Sequence, residues 1–228
     1  MLAIPHHRGE IHIELMKSIL ALDKEGFDMG IADSANAEVS TNRNILAQKF
    51  VSHSSKPTHL LFVDSDTGLP RDTVKKLLEA DKPIISGVQV TKFANTWIPR
   101  QWGDLWDGLW NVQVDVCETL DLRETHWIPK EEYRDKVIEI GATGGGCLMI
   151  KREVFETVPY PWFYNEFNPT ATMHKDLSFM SEDISFCYKA KKHGFGVHLH
   201  IGVLCDHWIG TRKFPPFWEK PKDEGLVK

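Results

Sequence analysis

The stretch His59-Leu60-Leu61-Phe62-Val63-Asp64-Ser65-Asp66 decides the fold of this chain. Its apolar residues, bounded by Lys56-Pro57 and by Gly68-Leu69-Pro70, are typical of a short buried strand in a parallel sheet. Asp64 and Asp66 then lie just past the carboxyl end of that strand, where open α/β sheets bind their ligands. Carboxylate oxygens bind Mg²⁺ and Mn²⁺, which commonly share phosphate oxygens as well. The pair is a candidate site for a metal-bound nucleotide diphosphate, although Asp and Ser also favour plain turns.

Predicted strands and helices alternate on both sides of this stretch. Short apolar runs predict strands at 2–5, 29–32, 59–63, 83–90, 137–140, 147–150 and 197–201. Apolar residues at helical spacing predict helices at 11–22, 39–51, 74–78 and 152–157, and one from a capping Ser181 to Gly194. This order predicts an α/β fold with a Rossmann-like, mainly parallel central sheet flanked by helices and joined by right-handed crossovers.

Length and charge narrow the class of protein. The 228 residues suit one domain, 1–228, with a nucleotide-binding half at about 1–90, an acceptor and catalytic half at about 91–210, and a tail at 211–228 that is a candidate lid. The net charge of −5 disfavours a general nucleic-acid-binding surface. No apolar run approaches the roughly 20 residues of a membrane span. Widely spaced cysteines and the lack of a signal-peptide pattern favour a cytoplasmic protein with reduced thiols.

Three further motifs follow in a fixed order. They are the glycine loop with its strand (144–152), the Ser181-Glu182-Asp183 start of a helix, and His207 after the last predicted strand. Together with the D-x-D motif at Asp64, this series resembles nucleotide-sugar-dependent glycosyltransferases of the A fold, of the family-two type. The resemblance extends from Leu2 to about His207, and its specificity comes from the order and spacing of motifs that are weak singly.

The resemblance implies a role for each matching residue. It assigns the metal-binding acid to Asp66, a further metal ligand to His207 and the catalytic base to Asp183. It places the nucleoside and the diphosphate against Pro5, His6, Asp33, Arg43, Asn44, Asp64 and Ser65. It places the donor sugar and acceptor near Gly144, Gly145, Gly146 and Glu182. The first-strand loop departs from the family pattern, because it reads Pro-His-His-Arg-Gly instead of a small polar run.

The implied cofactor is a divalent metal, Mn²⁺ or Mg²⁺, and the implied donor is a UDP- or GDP-linked sugar. A metal would stabilise the negative charge of the departing diphosphate. A general base that takes the proton of the acceptor hydroxyl typically contributes about 10²–10⁴-fold. Direct attack assisted by Asp183 alone predicts inversion at the anomeric carbon. Glu182 also suits the amino terminus of its helix electrostatically.

The tryptophans suggest where an acceptor binds. Trp102 and Trp106 alternate with Asp and Gly, a mixture of flat apolar faces and hydrogen-bonding groups that suits a sugar or an aromatic molecule. The acceptor itself stays open among glycans, lipids, proteins, small molecules and a modified DNA base. The donor sugar also stays open, because it is selected by pocket shape.

Three other functions remain in competition. A divalent-metal hydrolase would gather its ligands from His6, His7, Asp64, Asp66, Asp206 and His207. A nucleotidyltransferase would need a basic, glycine-rich loop after the first strand, which residues 5–9 match poorly. A nucleotide-sugar-binding protein without catalysis is the third, and the joint presence of Asp66, Asp183 and His207 argues against it.

Overall fold

The computed structural model describes residues 1–7, 9–35, 38–88, 90–93, 96–99, 101–102, 117–119, 127–129, 131–167, 179–209 and 212–214. Its strands, in chain order, are β1 (Leu2–His6), β2 (Ile31–Ala35), β3 (His59–Val63), β4 (Thr67–Gly68), β5 (Ile84–Val88), β6 (Val90–Phe93), β7 (Thr96–Pro99), β8 (Gln101–Trp102), β9 (Cys117–Thr119), β10 (Trp127–Pro129), β11 (Val137–Ile140), β12 (Ala142–Thr143), β13 (Cys147–Lys151), β14 (Glu166–Phe167), β15 (Phe179–Met180), β16 (Val197–Leu204), β17 (Asp206–Ile209) and β18 (Arg212–Phe214). Its helices are α1 (Ile13–Ala21), α2 (Val39–Ser52), α3 (Thr73–Glu79), α4 (Arg152–Thr157) and α5 (Glu182–Lys192).

Seven strands form the central sheet, in the order β11-β16-β5-β13-β3-β1-β2. β1 pairs in parallel with β2 and β3, and β5 pairs in parallel with β16. β13 runs antiparallel between β3 and β5, and β11 runs antiparallel to β16. Five of the seven strands therefore share one direction, which confirms the predicted mainly parallel sheet of a single α/β domain.

The reversed direction of β13 positions the glycine loop. β13 begins where β3 ends, so that Cys147 pairs with Val63. The amide of Asp64 donates to the carbonyl of Gly146 over 3.1 Å. Glycines 144–146 consequently lie beside the D-S-D turn, at the edge of the sheet where β1 and β2 also end.

Helices cover both faces of the sheet. Along β3, Leu60 and Phe62 face the core that contains α2, α4 and α5, whereas Leu61 and Val63 face the core that contains α1 and α3. This alternation follows from the two-residue period of a strand. Leu60 and Phe62 have no exposed surface, and burying such a side chain contributes about 1.5–3 kcal/mol. The packing holds the carboxyl edge of β3 rigidly in place.

Two differences from the predicted element boundaries bear on the candidate site. β2 starts at Ile31 and not at Met29, and its register with β1 places Asp33 and Ser34 inside the strand. β16 continues to Leu204, and a further strand, β17, follows it. The prediction that His207 follows the last strand was therefore wrong, because His207 lies within β17.

The helices and the cysteines were the subject of two expectations from the composition. No helix in the described ranges is long and apolar enough to cross a membrane. Cys147, Cys187 and Cys205 are buried free thiols, and burial raises the pKa of the Cys187 thiol to about 12. The Cys187 thiol is therefore protonated at neutral pH, and a thiol in this state is a poor nucleophile.

Candidate active site at the carboxyl edge of the sheet

A small three-stranded sheet joins the D-S-D turn to the later part of the chain. β17 pairs with β4 on one side and with β18 on the other. The pairing with β4 puts His207 opposite Thr67, and the Nε2 atom of His207 lies 3.2 Å from the Oδ2 atom of Asp66. The structure thus brings together the two residues that the resemblance assigns to a metal, although 141 positions separate them.

The Asp66–His207 pair faces solvent. The side chain of Asp66 is 45 % exposed and that of His207 is 25 % exposed. A carboxylate oxygen and an imidazole nitrogen are a donor set that Mn²⁺ accepts. Among the residues with described side chains, no group of three or more His, Cys, Asp or Glu could hold a metal ion. The pair fits a metal that takes its other ligands from the substrate or from water.

Arg43 connects three separate segments beneath this edge. It projects from α2, and its Nη2 atom donates to Oδ1 of Asp64 over 2.8 Å. Its Nη1 atom donates to the carbonyl of Gly145 over 3.1 Å, and its Nε atom donates to Oε1 of Glu182 over 3.2 Å. Arg43 is only 2 % exposed. It therefore lies behind the site and holds the D-S-D turn, the glycine loop and the start of α5 together.

The charged groups around Arg43 shift one another's pKa values. Burial disfavours the charged guanidinium, but attraction by Asp64, Glu182 and Asp183 outweighs it, so that the pKa of Arg43 is raised. Desolvation raises the pKa of Asp64, and Asp66 raises it further against the opposing effect of Arg43. Desolvation and Asp183 likewise raise the pKa of Glu182. Asp64 is packed from behind, yet 38 % of its side chain stays exposed, which leaves it room to contact a ligand.

Gly145 permits the approach of Arg43 to the loop. A Cβ atom at position 145 would lie 2.4 Å from the Cζ atom of the guanidinium. No carbon atom fits at that distance, so any other residue at position 145 would displace Arg43. The group that approaches the glycine loop at Gly145 is therefore a buried protein cation, and the predicted contact of the loop with a donor sugar stays a prediction.

Asp183 is fixed in orientation by three donors. The amide of Gly145 donates to its Oδ2 atom over 3.2 Å, and the amide of Ile184 donates to its Oδ1 atom over 2.8 Å. The hydroxyl of Ser181 also donates to Oδ1. Ser181 does occupy the N-cap position, but its side chain does not cap an amide of α5. The predicted capping by Ser181 was therefore wrong: its hydroxyl orients Asp183, and Asp183 is only 8 % exposed.

The ends of β1 and β2 carry the residues that were predicted to contact the nucleoside. Pro5 pairs with Ser34 across the two strands. The Nε2 atom of His6 lies 3.1 Å from Oδ2 of Asp33, whose side chain is 65 % exposed. His6 is buried, and its Nδ1 atom has no hydrogen-bond partner within the described residues. Such an orphaned polar atom beside an open carboxylate suits a site that a polar ligand completes.

Three contributors to this edge were missed by sequence reasoning. Asn42 donates to the His6 carbonyl and accepts from the Ser34 hydroxyl, both over 3.1 Å, and so fastens β1 to β2. The ring of His12 stacks on that of Trp208 at 5.2 Å. Their backbone amides hold the D-S-D turn: His12 donates to Ser65 and Trp208 donates to Asp66, each over 2.8 Å. No local sequence signal marks these contacts, because all of them join distant segments.

The side chain of Asn44 has a structural role in joining α2 to the aromatic segment at 162–163. Its amide nitrogen donates to the carbonyls of Ser40 and Phe163, and its oxygen accepts from the amides of Trp162 and Phe163. These bonds occupy the side-chain amide in holding the aromatic segment at 162–163 against α2. Asn44 thus has a packing role, and its contact with a nucleotide stays a prediction.

The predicted acceptor tryptophans are described only in part. The backbone of Trp102 in β8 pairs with Ala142 of β12, two residues before Gly144. Trp106 lies outside the described residues. The acceptor assignment of both residues stays a prediction.

Comparison with known proteins relates the chain to others by fold only. No family model matches the sequence, and no curated protein matches it. The solved structure of A197 from STIV is similar with a TM-score of 0.59 and 17 % identity, over 94 % of this chain and 88 % of that one. A structure of GalNAc-T7 with UDP, GalNAc and Mn²⁺ is similar with a TM-score of 0.51 and 15 % identity, over 90 % of this chain and 43 % of that one.

The chain spans less than half of GalNAc-T7 but most of A197. Identities of 15–17 % relate folds, and they do not transfer activities. The chain has a glycosyltransferase-A-like fold.

Proposed function

We propose that this chain is a metal-dependent glycosyltransferase that moves a sugar from a nucleoside-diphosphate sugar to an acceptor hydroxyl. The observation that carries the proposal is the 3.2 Å approach of Asp66 to His207 at the solvent-facing carboxyl edge. The same edge carries the oriented carboxylate of Asp183. The fold similarity to a structure that contains UDP, GalNAc and Mn²⁺ supports the choice of ligands.

In this proposal each site residue binds either the metal or a named part of the donor. Asp66 and His207 would hold the divalent metal, Mn²⁺ or Mg²⁺, which when bound supplies positive charge for the leaving diphosphate. His6, Pro5 and Asp33 receive the nucleoside, and the Nδ1 atom of His6 gains a hydrogen-bond partner, which it lacks among the described residues. Asp64 and Ser65 add contacts from the D-S-D turn.

The acceptor hydroxyl loses its proton to Asp183. The two amides and the Ser181 hydroxyl that bind this carboxylate fix its orientation, which a general base needs. Attack by the acceptor on the face opposite the diphosphate inverts the anomeric carbon. Gly144 and Gly146 allow the sugar to approach the backbone, and Trp102 and Trp106 contact the acceptor.

The competing hydrolase gains less support from the same geometry. It requires most of its six candidate ligands to converge on one site, but His6 pairs with Asp33, which is not one of the six, and Asp64 is held by the buried Arg43 at 2.8 Å. Within the described side chains no three-residue metal cluster forms. A site built from Asp66 and His207 alone therefore suits a metal that is completed by a diphosphate.

A donor-hydrolysis assay tests the proposal without knowledge of the acceptor, because water replaces it slowly in the active site. Release of UDP or GDP from a panel of UDP- and GDP-sugars is measured with Mn²⁺. We expect release from at least one donor, and a loss of about 10²-fold or more in Asp183→Asn, the low end of general-base contributions. The exposed variant Glu79→Gln is the control. Release that is unchanged in Asp183→Asn contradicts the assigned base, and no release from any donor contradicts the transferase.

A further inference from the structure

A second concave site lies at the opposite edge of the sheet. A cavity of about 780 Å³ is lined by the first residues of three parallel strands, Leu2, Ile31 and His59. The carboxyl ends of those same strands carry His6, Asp33 and Asp64. The cavity is therefore separated from the candidate active site by the length of the strands. Its volume falls within the roughly 300–1,000 Å³ range of small-molecule sites.

One wall of this amino-edge cavity is apolar. Val74 and Leu78 of α3 line it together with Leu61 and Met149 of the sheet. Leu61, Met149 and Val74 belong to the core on the α3 face, and Leu78 packs against that core. An aliphatic group placed there would extend an existing apolar surface and lose its own contact with water.

The other wall carries basic side chains. Lys49 and His53, from the end of α2, and Lys56, from the loop after it, line the cavity on this side. Asp28 is the only acid among the described residues that line the cavity. The excess of basic groups favours an anion over a cation or a neutral ligand.

The backbone at Lys56 gives a second, independent indication. Three described residues other than glycine have a positive φ: Lys56 at 46°, Asp81 at 50° and Asp135 at 59°. This conformation is unfavourable for residues with a Cβ atom and concentrates at functional sites. Asp81 pairs with Lys151 at 2.6 Å, and Asp135 pairs with Lys76 at 3.3 Å. Within the described part of the chain the Lys56 ammonium has no such partner, so the fold holds a strained residue with an unpaired charge at the cavity.

We propose that the amino-edge cavity binds an amphipathic anion, which is a molecule with one carboxylate or phosphate head and an aliphatic tail of about ten carbon atoms. The head contacts Lys56 and His53, and the tail lies against Leu61, Leu78 and Met149. The site is independent of the proposed transferase site, since none of the residues that line it belongs to the nucleotide, metal or catalytic groups.

Calorimetric titration tests this site with three probes: decyl phosphate below its micellar concentration, decanoate and inorganic phosphate. We expect decyl phosphate or decanoate to bind at a ratio of one to one, with a Kd at least tenfold lower than that of inorganic phosphate. Lys56→Gln and Leu78→Gln should each weaken that binding at least tenfold. The exposed Lys75 of α3 does not line the cavity, and Lys75→Gln should leave it unchanged.

Three results would overturn the proposal. They are the absence of binding by both amphipathic probes to the folded protein, equal affinity for inorganic phosphate, and equal affinity in Lys56→Gln. Both cavity variants alter partly exposed side chains, so circular dichroism should show a native fold in each. Binding of UDP with Mn²⁺ in Lys56→Gln separates this test from that of the transferase, because it should equal the wild-type value whichever way the cavity test turns out.

Discussion

Replacing Arg43 by Met removes the only cation that Asp64 and Glu182 contact within the described residues. Removing one partner of a buried ion pair leaves an uncompensated charge and typically costs about 3–5 kcal/mol. Arg43→Lys keeps the positive charge but loses the planar guanidinium group, whose three nitrogen atoms donate to three acceptors. We expect the loss of unfolding free energy at pH 7 to be about 3–5 kcal/mol for Arg43→Met and about 1.5–3 kcal/mol for Arg43→Lys, the value of one hydrogen bond to a charged group.

The pH dependence of this loss identifies its cause. Desolvation already raises the pKa values of Asp64 and Glu182 above their ordinary values of 3.8 and 4.5, and loss of Arg43 would raise them further. A carboxyl whose folded-state pKa is raised binds protons in the folded state first, so its stability penalty is present at neutral pH and disappears as the pH falls towards its unfolded value. The stability difference between wild type and Arg43→Met should therefore shrink between pH 7 and pH 5.

Urea unfolding followed by circular dichroism at both pH values measures this difference. The exposed Arg71 is the control, and Arg71→Met should change stability by no more than about 0.5 kcal/mol. A loss below about 1 kcal/mol in Arg43→Met, the range of surface ion pairs, would show that Arg43 does not compensate buried carboxylates. An equal loss at pH 7 and pH 5 would show the same, because the deficit would then have a packing origin.

Three other predictions concern the site and the fold. Asp183→Asn should keep UDP affinity within twofold of the wild-type value while donor turnover falls. Calorimetry and UDP release, measured on one preparation, give the two quantities. Parallel losses of UDP affinity and of turnover would argue for a binding role of Asp183. Gly145→Ala should destabilise the protein by about 1–3 kcal/mol, a typical cost of overpacking, because its Cβ would lie 2.4 Å from the guanidinium; a neutral result in urea unfolding would contradict the packing described. Desolvation lowers the pKa values of His198 and His200 below 6.5 in the folded protein. As the pH falls, these imidazoles therefore bind protons in the unfolded state before they do so in the folded state. The free energy of unfolding should consequently fall between pH 7.5 and pH 5.5. The double variant His198→Gln/His200→Gln should flatten that slope, and a slope equal to that of wild type would exclude these histidines as its source.

The sequence predicts well what depends on neighbours in the chain. The strand at Val137–Ile140 and the helix at Arg152–Thr157 lie where the apolar pattern places them. The D-S-D turn is predictable because a short apolar run ends in polar residues between prolines. Hydrophobic period and turn residues act over a few positions, so one sequence is enough to read them.

Strand direction and long-range contacts were not predictable in this way. The apolar pattern of β13 is the same in either orientation, so its antiparallel course stayed hidden. The contacts of Arg43 with Gly145 and Glu182 span 102 and 139 positions, and no periodicity encodes them. Resemblance placed Asp66 and His207 in one site, but only the pairing of β4 with β17 explains how they meet.

The proposed transferase depends on a metal-dependent nucleotide site formed by Asp66 and His207. Calorimetric titration with UDP and with GDP, each with and without Mn²⁺, measures whether this site exists. We expect that one nucleotide binds only with Mn²⁺, that Asp66→Asn and His207→Gln both abolish this binding, and that the exposed variant Glu79→Gln retains it. Nucleotide binding that is independent of Mn²⁺, or that persists in both variants, would show that Asp66 and His207 do not hold a metal for the nucleotide.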